Sequence, residues 1–491
     1  MPPSRSLRLA LLSPRGPLYR HRGGIWKKTM RYAPLTLTTL ASLVPSEIST
    51  SIQLIDEGID EIDPSTIDAD LVGISAITGT APRAYAMAAA LRRRGIAVVL
   101  GGVHPTLVPD EALQHADAIA VGYAEESWPR LLRDFVAGRM ARRYDQDPNL
   151  TLENLPFPRR DLFAGGMVNV AHTLEATRGC IYQCDFCVVP AAWGKPLQKP
   201  VADVVADIRQ MRAKRVIFLD LNLIADVAYA KELFTALVPL KIQWGGLATT
   251  TIAWDDELLD LAARGGCRGL LVGFESLNQA ALVEAKKAFN MRRDYHEVVR
   301  KIRERHIALM GCFVFGFDND TRDSFDETVE FVMASRMDLP RYAIAVPFPG
   351  TGLYKRLRSE GRITTKDWSL YDGQHVVFEP KNMTADELLR HTRRAWTTTY
   401  RYSSIWKRLS GSRTRLPIAI PANLGYRFYA YNLDTFYTCD WFMDRPRAFR
   451  LKAEATGQAR RGTPETPCLP PEGGSHRAGE EGHSGNSVPA A

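Results

Sequence analysis

Three cysteines stand close together in the segment Thr177-Arg178-Gly179-Cys180-Ile181-Tyr182-Gln183-Cys184-Asp185-Phe186-Cys187-Val188-Val189-Pro190, at the spacing C-x3-C-x2-C. Thiolates are the standard ligands of iron in iron-sulfur clusters. A cube of four irons held by three thiolates keeps one iron without a protein ligand, and the amino and carboxylate groups of a small molecule can take that place. Two other readings use the same residues. On a helix, these offsets would bring all three side chains to one face as small core residues. A zinc site would need a fourth ligand, and the nearest upstream imidazole, His172, precedes the strand that leads into the triplet and belongs to its far end. Gly179, the apolar run before it and Pro190 after it instead predict a loop at the carboxyl end of a strand, where a catalytic centre is expected.

The elements that must position this loop are legible as alternation. Up to about Gly138, short apolar runs at Leu7 to Leu12, Ser51 to Ile55, Leu71 to Ala76, Ala97 to Leu100 and Ala118 to Val121 alternate with helical stretches, the pattern of an α/β, doubly wound parallel sheet. Pro82 opens one such helix and Gly95 closes it. Residues 1–140 are therefore read as a first domain. The polar, proline-bearing stretch 141–170 is read as a linker. A second alternation follows over 171–370, with strands at Leu174 to Thr177, Val216 to Asp220, Ile242 to Leu247, Gly269 to Glu275, Ala308 to Phe315 and Tyr342 to Val346. All but the last two are separated by room for a helix. This predicts a partial barrel of parallel strands with its chemistry at their carboxyl ends. Residues 371–455 read as a helical region, and 456–491, poor in large apolar residues, as a disordered tail.

The triplet, with Phe186 just before its last cysteine, resembles the signature of the radical S-adenosylmethionine (SAM) superfamily. The resemblance implies Cys180, Cys184 and Cys187 as ligands of a 4Fe-4S cluster that donates an electron to bound SAM, breaking it into methionine and a 5'-deoxyadenosyl radical. It implies a ribose contact at Glu275 and Ser276 in Gly273-Phe274-Glu275-Ser276, and an adenine-facing strand at Phe315 in Phe313-Val314-Phe315-Gly316-Phe317. Ser276 has a second reading as a helix cap beside a solvated Glu275. Asp220, Asn222, Thr249 and Thr250 belong to the same mouth as contacts or caps. Leu221 stands where the family often carries a further acidic residue.

The first domain offers a second site. Ser75, Gly101, Gly102 and Gly122 fall at the carboxyl ends of its strands, where open parallel sheets bind ligands and glycine lets a ligand approach the backbone. No G-x-G-x-x-G follows the first strand, so a dinucleotide is not expected. A sheet domain followed by a triplet-bearing barrel resembles the cobalamin-dependent radical SAM enzymes, loosely the hopanoid-methylating members. Gly101-Gly102-Val103-His104-Pro105 and Gly122-Tyr123-Ala124-Glu125 stand at that class's cobalamin motifs. The D-x-H-x-x-G motif of other cobalamin proteins is missing: around His21, Tyr19 and Gly24 occupy the relevant places. A histidine below cobalt is thus not expected, and His104 has packing and ligation as its two readings.

Composition narrows the remaining choices. The 491-residue chain is 45% hydrophobic with a net charge of +8. Its Lys and Arg are dispersed, and groups such as Arg92, Arg93 and Arg94 read as solvated helix ends, so no nucleic-acid partner is expected. No apolar run is long enough for a transmembrane segment. The short apolar N-terminal run reads as a strand, not a secretion signal. Seven thinly spread cysteines fit a reducing, cytoplasmic compartment. The similar family that methylthiolates transfer RNA carries a further set of cysteines in its first domain, and since no cysteine precedes Cys180 here, that activity is disfavoured. The resemblance to the cobalamin-dependent class implies C-methylation of an unactivated carbon in a small or polycyclic natural-product, lipid or tetrapyrrole substrate, with a flavodoxin or ferredoxin as electron donor. Ring closure or rearrangement with the same cofactors is the alternative, and an iron-sulfur electron carrier would need a fully ligated cluster. The aromatic C-terminal set Trp396, Tyr400, Tyr402, Trp406, Tyr426, Phe428, Tyr429, Phe436, Tyr437, Trp441 and Phe442 reads either as a helical core or as a cavity lining.

Overall fold

Strand β1 (Leu7–Ser13) shows how the first layer is built: Leu7, Leu9 and Leu11 enter one apolar cluster and Ala10 and Leu12 another, on opposite faces of the sheet. A strand buried on both faces reads as a near-continuous apolar run, which is why it was legible. It pairs in parallel with β2 (Thr50–Asp56) and β3 (Leu71–Ser75), and the sheet continues through β4 (Ala97–Gly101), β5 (Ala118–Val121) and β6 (Arg143–Asp145) in the order β2-β1-β3-β4-β5-β6. The helix Ala81–Arg93 begins with Pro82 in its first turn and ends before Gly95, which has a positive φ of 76°. The computed structural model describes residues 6–16, 35–58, 62–163, 172–291, 293–410 and 416–433.

Strand β6 lies inside the stretch read as a linker. Arg143 and Asp145 are exposed, while Tyr144 alone is buried and donates its hydroxyl to Asp134 at 3.0 Å. One inward side chain in three leaves no apolar run to recognise.

The second sheet is also six-stranded and parallel, with its strands side by side in chain order. Its members are β7 (His172–Leu174), β10 (Arg215–Phe218), β11 (Gln243–Thr249), β12 (Cys267–Glu275), β13 (Ala308–Phe315) and β14 (Leu339–Ile344), so each expected strand is present. Two details differ. The first strand stops at Leu174, and Thr177–Arg178 instead form β8, antiparallel to β9 (Leu197–Gln198). A helix, Asp323–Ala334, also fills the last crossover, where the sequence expectation placed none.

β14 is an edge strand that contains Pro340, a residue tolerated at edges because it has no N–H to pair. The helices Ala385–Thr399, Tyr402–Leu409 and Leu416–Tyr431 supply the C-terminal helical region, and the first two reach this edge. Trp396 Nε1 donates to the Tyr342 carbonyl at 3.0 Å, the Tyr400 hydroxyl to the Pro340 carbonyl at 2.8 Å, and fully buried Arg408 to the Met337 and Asp338 carbonyls at 2.9 and 2.8 Å. An open sheet edge is thereby covered. Trp396, Tyr400 and half-buried Tyr426 stack, and Tyr429 meets Trp396 edge-on, all as packing of this cover, whereas Tyr402, Trp406 and Phe428 are exposed. Phe436, Tyr437, Trp441, Phe442, His21, Cys439, Cys468 and the expected tail lie outside the described residues. Among the described residues no helix is long and apolar enough to cross a membrane.

Truncating Trp396 removes both its buried rings and the donor to β14. Trp396→Ala is expected to lower stability by about 3–5 kcal/mol, read as a lower urea midpoint than that of the native chain.

Candidate active site

The triplet occupies the loop between β8 and the helix Val188–Trp193, so the helical alternative for the cysteines does not hold. The loop is fixed from several sides. Gly179 has φ of 78°, and a Cβ there would lie 3.2 Å from Pro196 Cα and 3.3 Å from the Lys195 carbonyl oxygen. The Asp185 amide donates to the Ala285 carbonyl and the Leu353 amide to the Asp185 carbonyl, both at 3.0 Å. Lys286 pairs with the Asp185 carboxylate at 2.9 Å. Tyr182 stacks on Phe289 with ring centroids 3.7 Å apart, and Phe186 meets Phe317 edge-on at 5.8 Å.

Asp220 explains why the first strand stops early. Its fully buried carboxylate accepts from the Thr177 hydroxyl at 2.8 Å, the Ala176 amide at 3.1 Å and the Thr177 amide. Burial, with Glu175 next in weight, pushes its pKa up to about 7. Asp220 thus anchors the approach to the triplet instead of facing a ligand. Asn222, equally buried, donates Nδ2 to Cys180 Sγ at 3.6 Å, while its Oδ1 has no partner.

All three thiols are free and partly exposed. Burial pushes Cys184 up to about 12 and Cys187 up to about 11; the Lys287 charge works against this at Cys184. Such thiols stay protonated until a metal displaces their protons. Soft sulfur donors in an apolar surround, with one sulfur already receiving an N–H, fit an iron-sulfur cluster, whose potential responds to such bonds. Among the described residues no three His, Cys, Asp or Glu side chains gather around a point suited to a single ion, and exposed His172 starts β7 at its far end.

Glu275 ends β12 with φ of +64°, an uncommon conformation for a side-chain-bearing residue. Its Oε1 accepts from Lys287 Nζ at 2.5 Å, and that ammonium also donates to the Gly273 carbonyl at 3.0 Å. A Cβ on Gly273 would sit 2.2 Å from Glu275 Oε1, so the glycine makes room for the pair. Glu275 is 8% exposed, hence not the solvated residue of the capping reading. Ser276 Oγ accepts from the Asn278 amide at 3.1 Å, and Asn278, not Ser276, caps the helix Gln279–Glu284. Thr249 stays at the mouth, bonded to Thr251 at 2.6 Å, but Thr250 is fully buried and committed to Asn290. Phe315 points away from the mouth, against Phe325 with centroids 4.4 Å apart, and its neighbour Val314 packs near Phe186 and Phe317 instead. Lys287, Asn290 and Val314 were not singled out in the sequence.

At the first sheet, Ser75 and Gly101 are register partners at the carboxyl edge. Gly102, with φ of 97°, is demanded by the chain itself: a Cβ would lie 2.8 Å from the Ala76 carbonyl oxygen. A Cβ on Gly122 would lie 2.6 Å from Gln146 Oε1. Close ligand approach is therefore not needed to explain either glycine. His104 is fully buried, with Nε2 3.0 Å from the Tyr85 hydroxyl and its ring edge-on to Trp368 at 5.5 Å. Glu111 accepts from both Tyr85, at 3.0 Å, and Trp368 Nε1, at 2.8 Å. This packing joins the first sheet's helices to residues beyond β14 and leaves His104 enclosed, as the packing reading requires.

Comparison with known proteins decides the family. Residues 174–332 match the radical SAM superfamily and residues 54–132 the B12 binding domain. The chain is 31% identical over 396 residues to the bacteriochlorophyllide d C-12(1)-methyltransferase of Chlorobaculum tepidum, covering 77% of this chain and 85% of that protein. The chain belongs to the cobalamin-dependent radical SAM enzymes. It is 25% identical over 353 residues to the hopanoid C-2 methylase of Rhodopseudomonas palustris, covering 68% of this chain and 66% of that protein. In fold, this cobalamin-dependent radical SAM enzyme is similar to the structure of OxsB with aqua-cobalamin and SAM bound, at a TM-score of 0.62 and 14% identity, over 92% of this chain and 75% of that one. As a family member it is an enzyme, not an electron carrier, and its cofactors are a 4Fe-4S cluster, SAM and cobalamin.

Anaerobic reconstitution of this cobalamin-dependent radical SAM enzyme is expected to load about four irons per chain, by colorimetric assay. Cys184→Ala should lose most of that iron and all conversion of SAM to 5'-deoxyadenosine.

Proposed function

We propose that the chain is a C-methyltransferase acting on an unactivated carbon of a tetrapyrrole or similar polycyclic small molecule. One observation carries this reading: the loop bearing Cys180, Cys184 and Cys187 and the loop after β5 of the first sheet touch, through Arg178 and Glu125, so two carboxyl edges suited to two cofactors share one boundary. When bound, the cluster with SAM supplies a hydrogen-abstracting radical, and cobalamin supplies the methyl group. In this reading Cys180, Cys184 and Cys187 hold the cluster, with Asn222 donating to the first sulfur. Thr249, Glu275 and Ser276 line the nucleoside side of the mouth, where the Lys287 ammonium fixes the Glu275 carboxylate. Phe186, Val314 and Phe317 form an apolar wall that keeps water from the reacting atoms. Ser75, Gly101, Gly102 and Gly122 lie at the cobalamin edge, by backbone approach. The chain divides accordingly: a cobalamin domain that runs past the expected limit of 140 to include β6, a radical domain over 171–370, and a C-terminal region from 371 whose described helices cover β14.

The tetrapyrrole assignment draws on the 31%-identical relative, which spans most of both chains. A small flavin or iron-sulfur protein such as a flavodoxin or ferredoxin is the proposed electron donor, because each turnover needs one low-potential electron at the cluster. The proposed compartment is the cytoplasm, where free thiols stay reduced.

With SAM carrying a deuterated methyl group, reductant and a bacteriochlorophyllide d substrate, mass spectrometry is expected to find product carrying one labelled methyl. Omitting cobalamin should abolish that product while 5'-deoxyadenosine still forms. A product lighter by two hydrogens and unlabelled would mark ring closure and overturn methylation.

A further inference from the structure

Arg178 stands two positions before Cys180 and is only 8% exposed. A guanidinium keeps its charge at any working pH, so enclosing one is strongly unfavourable unless carboxylates and hydrogen bonds compensate. Two carboxylates do so. Nε donates to Glu175 Oε2 at 2.7 Å, within the same approach to the triplet. Nη1 donates to Glu125, which is 6% exposed and belongs to the loop after β5 in the first sheet. The guanidinium carbon also lies 4.7 Å from the ring centre of Tyr123, two residues before Glu125. Tyr123 in turn stacks on Trp193, with centroids 4.6 Å apart and ring planes within 7°. Trp193 closes the short helix that begins directly after Cys187.

The pattern is a grip on both flanks of the triplet by one loop of the other sheet. Arg178 precedes Cys180 and Trp193 follows Cys187, and both are held by residues 123–125. Elsewhere the sheets meet through Trp368 with Glu111, and through Gly350, where a Cβ would lie 3.1 Å from Leu107 Cδ2. Those contacts join the bodies without touching the triplet. The helix Val103–Leu107 also packs on the helix Val188–Trp193, but among the described contacts the ion pair and ring stacking that hold both flanks of the triplet come from residues 123–125.

We infer that Arg178 is a positioning residue that, with Tyr123, Glu125 and Trp193, clamps the cysteine loop onto the loop after β5 and so fixes the separation of the two cofactor sites. The part concerning cofactors rests on the function proposed above; the clamp itself does not. Lysine can replace the charge but neither the forked donation to two carboxylates nor the flat stacking on Tyr123.

The test uses the full chain without added cofactors. Hydrogen exchange followed by mass spectrometry should show that Arg178→Met raises exchange about tenfold in both 179–187 and 122–126, leaving the helix Ala81–Arg93 unchanged. Arg178→Lys should give a smaller rise in both. Glu125→Gln and Tyr123→Leu, which remove one side of the grip each, keep the inference testable if Arg178→Met does not fold. A rise confined to 179–187 would overturn it, since an arginine serving only its own loop would give that result. In reconstituted protein, pulsed electron paramagnetic resonance between cob(II)alamin and the reduced cluster should give a narrow distance distribution for the native chain and a broad one for Arg178→Met at equal iron and cobalamin content. Equal widths would again overturn it. Native protein that takes up no cobalamin would instead refute the two-cofactor reading, while the exchange result would still decide the clamp.

Discussion

A cluster held by three sulfurs has to be gripped on every side except the one left open, because a loose loop would let solvent or a fourth protein ligand reach the vacant iron. This constraint organises the second sheet's mouth. Asp220 gathers the amides of Ala176 and Thr177, Ala285 and Leu353 bond the backbone of Asp185, and Gly179 lets the chain pass Pro196. These bonds act on the backbone around the cysteines, while the sulfurs receive only single N–H groups, the Asn222 amide at Cys180 and the Val189 backbone N–H at Cys187. The consequence shows in the Cys184 and Cys187 thiols, whose burial favours the protonated form until metal arrives.

The same economy appears at the periphery. β14 would be a bare edge, and the helices after it donate hydrogen bonds to its outer carbonyls through Trp396 and Tyr400. Of the aromatic residues that looked suited to line a cavity, Trp396, Tyr400, Tyr426 and Tyr429 pack this cover, while Tyr402, Trp406 and Phe428 are exposed. A substrate site is therefore better sought between the two carboxyl edges than among Trp396, Tyr400, Tyr426 and Tyr429.

Much of this was readable from the chain because parallel strands buried on both faces are written as apolar runs, and a C-x3-C-x2-C triplet has few other uses. What escaped the sequence follows from geometry. β6 exposes Arg143 and Asp145 and buries one tyrosine, so it carries no strand signature. The helix Asp323–Ala334 opens with Asp323 and Asp326, close to Asp318 and Asp320, and reads as a turn-rich acidic stretch. Phe315 and Val314 show the limit of strand parity: a shift of one residue exchanges the mouth for the outer layer, and only the register decides. Thr250 with Asn290, Glu275 with Lys287 and Arg178 with Glu125 are pairs 40, 12 and 53 positions apart, set by topology and not by local pattern.

The central claim is that a cube anchored by Cys180, Cys184 and Cys187 keeps one iron for the amino and carboxylate groups of SAM. Electron-nuclear double resonance on the reduced protein with SAM labelled by nitrogen-15 at the amino group tests this directly. The account predicts a resolved nitrogen-15 coupling, which shows the amino nitrogen bound to iron. A four-iron signal with no such coupling, unchanged by adding SAM, would contradict it.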